Sequence, residues 1–291
     1  MLSQEAVRTS LSKVKSIPGL NFISPSSTKA PTKTDLEGFQ RAQALAYEAA
    51  VSVGQILRPG MTERQAAALV EDFLADHGVK SFFHTSMVWF GDRSRFAGFK
   101  GKGDALPGRR ALQEGGEVIC IDTAPIVDGY CGDIGFTFAL EPNPELVKVR
   151  EYLLEFRRNL RNWFASDMGT KQIWEKVDAD LKANGYDNIH ARYTYSVLGH
   201  RVHKMPFSGL KPLFANPYTQ LAYWAFMSRG LWPEILTPWH DGEKLGFWAL
   251  EPHVGAKGFG AKFEEILVVE NGNVRWLDDA VPHVQLPKGL Y

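Results

Sequence analysis

Apolar positions recur along this chain in two alternating styles. From residue 34 to residue 78 they follow the three-to-four spacing of amphipathic helices. Capping-box spacing at Thr34-Asp35-Leu36-Glu37 opens a helix to about Leu57, which Pro59-Gly60 stops. Thr62 to Gln65 repeats that spacing, and the next helix carries Leu69, Val70, Phe73 and Leu74 on one face before Gly78. β-type segments follow over 81–90, 117–124 and 130–140. Then the order begins again. Asn143-Pro144 opens a helix with Leu146, Val149, Leu153, Phe156, Leu160 and Trp163, and Thr170 caps another with Ile173, Trp174, Val177 and Leu181 inward, ended by Gly185. Strand-like stretches return over 191–202, 246–253 and 262–269.

Two helices then strands, twice over and without a fixed sequence period, predict an α+β domain. Its two similar halves share one curved antiparallel sheet with helices outside. Residues 34–291 form that domain, and residues 1–33, rich in Ser, Thr, Lys and Pro, read as a loose arm. A length of 291 residues with 44% apolar content excludes a disordered chain. Thirty-three basic and 33 acidic residues cancel, so the electrostatic footprint of a nucleic-acid or anionic-membrane binder is absent. No apolar run approaches the roughly 20 residues of a membrane span, and the amino terminus has no signal-peptide core. A cytoplasmic protein without nucleic-acid or membrane partners is expected. Cys120 and Cys131 read as buried free thiols. Arg150, Arg157, Arg158 and Arg161 read as a solvated helical face beside Glu151 and Glu155.

Candidate chemistry starts at a hairpin turning on Asp128-Gly129. The expected register pairs Asp122 with Asp133, Cys120 with Gly135 and Cys131 with Ala124. Two carboxylates side by side in an apolar sheet need a cation, a shared proton or water. Three further strand segments deliver His200, Glu251 and Glu264 into apolar surroundings. Two Asp, one His and two Glu form an oxygen-rich set suited to two divalent ions, with Mn²⁺ favoured and Fe²⁺, Co²⁺ or Zn²⁺ acceptable.

The ordered series Asp122, Asp133, His200, Glu251 and Glu264 resembles the ligand set of the pita-bread metallopeptidases, which include methionine aminopeptidase, aminopeptidase P, prolidase and creatinase. The local contexts DGYCGDIGFTF, GH, LEP and KFEEILVVENG match as well, as does LRPGMTERQAAALVEDFLADHGV ahead of the hairpin. The resemblance spans residues 35–285 and implies the pita-bread fold. It implies that Asp122 chelates one metal, that Asp133 and Glu264 bridge both, and that His200 and Glu251 complete the second. A metal-bridging water would attack an amide near a free amino terminus, with Glu251 shuttling its proton, as in an aminopeptidase or Xaa-Pro dipeptidase. The substrate would be a small peptide or small molecule, and a homodimer is compatible. Creatinase shows that the same scaffold hosts non-peptide chemistry, which keeps a small-metabolite enzyme as the alternative. A binding module without catalysis would predict decayed ligands, and all five are present.

Three departures stand out. The stretch Gly199-His200-Arg201-Val202-His203-Lys204-Met205-Pro206 is about four residues shorter than the family pattern, with Lys204 where an acid is usual. His203 is assigned to substrate or to the transition-state oxyanion. The loop before the hairpin lacks the usual histidine, leaving His84 as a substitute or a structural residue. Glu265 adjoins Glu264, and a one-residue slip exchanges their faces. The chain corresponds to a short form without a separate amino-terminal domain. Instead, window 207–248 holds ten aromatics, with Trp224, Trp232 and Trp239 as candidate substrate contacts. A lid and a structural cluster are both open readings.

Overall fold

Helix α1 (Lys33–Ile56) starts two residues before the predicted box, because Thr32 rather than Thr34 is its N-cap. In the computed structural model, which describes residues 30–205 and 222–291, the Asp35 N–H donates to Thr32 Oγ1 at 3.2 Å. Asp35 Oδ2 accepts in return from the Thr32 hydroxyl at 2.6 Å. Both threonines precede an acid at the right spacing. The Asp35 box is reinforced by the Tyr130 hydroxyl, which donates to Asp35 Oδ1 from the sheet. Helix α2 (Glu63–Asp76) carries the expected Thr62–Gln65 box.

The first half continues with strands β1 (Met87–Phe90), β2 (Val118–Thr123), β3 (Ile126–Val127), β4 (Tyr130–Cys131) and β5 (Ile134–Ala139). Predicted strand 81–90 shrinks to β1, with Phe82 making a single bridge to Pro125. In the second half, α3 (Pro144–Ala165) is capped by Asn143, whose Oδ1 accepts from the Glu145 and Leu146 N–H groups. The N-cap of α4 (Thr170–Ala183) is Gly169, not Thr170. The Thr170 hydroxyl accepts instead from the Gly242 N–H at 2.8 Å, tying that loop to the helix.

After β6 (Asp187–Asn188), predicted strand 191–202 survives only as β7 (Gly199–Arg201). Tyr195 and Ser196 take positive φ, and Trp174 Nε1 donates to the Ser196 carbonyl at 2.7 Å. The aromatic and β-branched residues that mimic a strand here line short 3-10 turns. The chain then forms α5 (Ala222–Ser228), β8 (Ile235–Leu236), β9 (Gly246–Leu250), β10 (His253–Ala256), β11 (Phe259–Lys262), β12 (Glu265–Glu270) and β13 (Asn273–Trp276).

Among the described residues every strand pairing is antiparallel. The pairings give the orders β1-β2-β5, β13-β12-β9-β7-β8 and β11-β10-β6, with β3-β4 as a hairpin. Strand β8 comes from the aromatic-rich window, so part of that window is an integral edge of the sheet. The predicted hairpin register is corrected by two positions. Asp128 (φ 51°) and Gly129 (φ 87°) make a two-residue turn that pairs Val127 with Tyr130. Asp122 therefore lies opposite Gly135, Cys120 opposite Thr137 and Cys131 opposite Ile126. Both thiols are free and buried, and burial pushes Cys120 up to about 12.

Each half has its own core. Ala46, Val53, Val70, Ile119 and Phe136 pack beneath α1 and α2, while Phe156, Leu160, Ile173, Val177 and Trp248 pack beneath α3 and α4. Burying each large side chain of this kind contributes about 1.5–3 kcal/mol. The halves meet at a seam. Gly135 and Glu264 exchange backbone hydrogen bonds of 3.3 and 3.0 Å, and Thr137 Oγ1 donates to the Lys262 carbonyl and accepts from its N–H.

Candidate metal centre

The seam is lined by the five residues singled out in the sequence. Asp122 sits near the end of β2, and Asp133 in the break between β4 and β5. His200 is on β7, Glu251 immediately follows β9, and Glu264 links β11 to β12. All five are buried. Asp122 and Asp133 do not face each other across the ladder, as the expected register required. They converge because Asp133 lies two residues from Gly135, the partner of Asp122, and so shares its face. A side chain at Gly132 would meet the Ala42 carbonyl of α1 at 2.2 Å, so only glycine lets the break press against that helix.

His200 Nε2 lies 3.1 Å from Asp133 Oδ2 and 4.0 Å from Glu264 Oε1. His84 Nε2 stands between the aspartates, 3.2 Å from Asp133 Oδ1 and 3.3 Å from Asp122 Oδ1. Three overlapping sets have the mutual spacing to hold an ion: His84, Asp122 and Asp133; Asp133, His200 and Glu264; Asp122, Glu251 and Glu264. Asp122 Oδ1 is buried without a hydrogen-bond partner among the described residues. The buried donor set of two carboxylates and an imidazole at Asp133, His200 and Glu264 fits a divalent cation.

The electrostatics follow from burial and crowding. Burial alone would raise Asp133, but the His84 and His200 imidazoles outweigh it and hold the carboxyl below its ordinary range. Burial would lower His84; Asp133 and Asp122 override it and push the imidazole to about 10. Burial, reinforced by the Asp133 charge, drives Glu264 well above the usual carboxylate range. Burial also raises Glu251, against the pull of Lys262.

Lys262 is a residue that the sequence does not single out. Its side chain is fully buried, and Nζ donates to Asp122 Oδ2 at 2.7 Å, to Glu251 Oε2 at 2.7 Å and to Glu264 Oε2 at 3.0 Å. Strand alternation carried the signal, since residues two apart share a face. By the same alternation Glu265 points away, to Arg157 at 2.6 Å and His283 at 2.5 Å. Arg157 accordingly leaves the solvated face assigned to it and is buried over the Trp276 ring, while Arg158 and Arg161 remain exposed.

His203 does not join the cluster. Its Nε2 lies 2.6 Å from Glu234 Oε2, a buried carboxylate that sequence reasoning did not single out. Both line a small pocket with Phe83, Met205, Phe226 and Arg229. Phe83 stacks on His200 at 5.1 Å and Phe226 meets the same ring edge-on at 5.0 Å, so this pocket adjoins the centre. Trp232 packs on Tyr195, and Trp239 is 55% exposed. The Trp224 side chain lies outside the described residues.

Comparisons with known proteins agree with this architecture. The model of metallopeptidase family M24 matches residues 37–271. The Bacillus subtilis protein named "Putative dipeptidase YkvY" is 28% identical over 223 residues, covering 71% of this chain and 58% of that protein. The solved X-Pro aminopeptidase from Thermotoga maritima superposes with a TM-score of 0.63 at 19% identity, over 89% of this chain and 63% of that one. Prolidase from Pyrococcus furiosus gives 0.61 at 19% identity, over 85% and 64%. At these identities the structural likeness carries the fold, which is the pita-bread fold. The chain spans less than two thirds of the length of each of these relatives.

Proposed function

The chain belongs to metallopeptidase family M24, and from that premise we propose that it hydrolyses the amide bond of a small peptide next to a free amino terminus. The observation that carries this reading is the convergence of Asp122, Asp133, His200, Glu251 and Glu264, from both halves of the domain, on one buried cluster. Asp133, His200 and Glu264 are the proposed core of the metal site, and the oxygen-rich donor set favours Mn²⁺. A divalent ion held there supplies Lewis acidity, polarising the scissile carbonyl and lowering the pKa of a water.

The protein groups then have separable tasks. Glu251, raised by burial and steadied through Oε2 by Lys262, is the carboxylate proposed to take and return the water's proton. His84, against both aspartates, keeps them oriented. His203, held by Glu234 in the pocket beside His200, is proposed to bind the substrate rather than the metal. Phe83, Met205 and Phe226 give that pocket an apolar wall, which favours an apolar side chain or proline there. Dipeptidase and prolidase names among the relatives support the small-peptide class.

The deciding experiment is turnover of a panel of dipeptides and tripeptides, Xaa-Pro sequences included, read by mass spectrometry with Mn²⁺-loaded and metal-stripped protein. Metal-dependent loss of particular peptides, abolished by acetylating their amino group, is the expected result. Absence of turnover across the panel by metal-loaded protein would overturn the peptidase reading in favour of a small-metabolite substrate.

A further inference from the structure

An ammonium has three hydrogens to donate, and in Lys262 each has its own carboxylate. Asp122 comes from β2, Glu251 from the end of β9 and Glu264 from the β11–β12 link, at 2.7, 2.7 and 3.0 Å from Nζ. Those three acids are also one of the sets spaced to hold an ion. A divalent ion bonded to the same oxygens at about 2.0–2.2 Å would need the volume that Nζ fills. The two cations would repel at close range in a poorly screened interior.

The ammonium is built in rather than incidentally present. The Lys262 backbone is fastened on both its N–H and its carbonyl by Thr137 Oγ1. Its stem passes Gly135, where a Cβ would meet Lys262 Cε at 2.7 Å. Glu264 divides its oxygens between the two sides of the cluster, Oε2 toward Lys262 and Oε1 toward His200. The set Asp133, His200 and Glu264 is thereby left open for an ion while the set around Lys262 is closed.

We propose that Lys262 is a resident cation occupying the place of one metal ion, so that the centre holds a single divalent ion, at Asp133, His200 and Glu264. The proposal rests on the reading that this cluster binds a metal, and its test separates the two.

Metal-stripped full-length protein titrated with MnCl₂ should take up about one ion per chain, by calorimetry and by elemental analysis after desalting. Its EPR spectrum should be that of an isolated Mn²⁺. Lys262→Ala should raise uptake to about two ions per chain and introduce exchange coupling, while Lys262→Arg should remain at about one. A coupled pair in the unaltered protein overturns the proposal, however the variants fold. So does a folded Lys262→Ala protein that still takes up a single ion. No uptake at any Mn²⁺ concentration overturns the metal reading as well. Two ions with peptide turnover leaves the peptidase standing and removes only the role given to Lys262.

Discussion

Residues 262–265 carry two different tasks on two faces of one extended stretch. Lys262 and Glu264 face the centre; Phe263 enters the second core and Glu265 pairs with Arg157 and His283. Neighbouring glutamates should therefore fail in different ways. Glu264→Gln is expected to weaken Mn²⁺ binding at least about 100-fold with little change in melting temperature. Glu265→Ala strands a buried guanidinium and should cost about 3–5 kcal/mol in urea unfolding, while the folded fraction still binds metal. Alternation puts Glu264 and Glu265 on opposite faces, but only the register, which pairs Glu265 with Leu250, fixes which of them meets the centre. The lysine was legible by spacing, but a cation among acids reads as a surface residue until the third dimension encloses it.

At the scale of elements, helices were easier to read than strands. A capping side chain and a periodic apolar face are local, and α2 and α3 begin where Thr62 and Asn143 predict. Where two boxes compete, the tertiary contact from Tyr130 to Asp35 decides. Thr32→Ala should accordingly cost about 1 kcal/mol in urea unfolding, and Thr34→Ala should leave the midpoint unchanged. Strand register is set by turn geometry and by breaks, neither of which composition reports. The two-position correction at the Asp128-Gly129 hairpin shows this, as does the reduction of 191–202 to β7. A seam between strands is more demanding still. Gly135→Ala puts a methyl against the stem of Lys262 and the Cβ of Glu264, at 2.7 and 3.1 Å before relaxation. The variant should fold with both cores intact by circular dichroism yet bind Mn²⁺ more weakly by calorimetry.

For the whole molecule, one buried imidazole ties stability to acid. Burial lowers His190 from 6.5 to about 3, and its Nε2 has no hydrogen-bond partner among the described residues. Between those values the unfolded chain binds a proton that the native state refuses, so stability present above pH 6.5 drains away as pH falls toward 3. Urea midpoints measured across that window should decline with falling pH. The slope should be shallower in His190→Gln, which does not titrate there.

Asp122 and Lys262 meet across the seam although 140 residues separate them along the chain. Synthesis runs from the amino terminus, so the ribosome releases both aspartates long before His200, Glu251 and Glu264 exist. Even the first core closes only when Val281 and Leu290 join it, after every residue of the centre has been made. Whatever hydrolytic power the protein has is thus acquired late, once strands from both halves have been made and brought together.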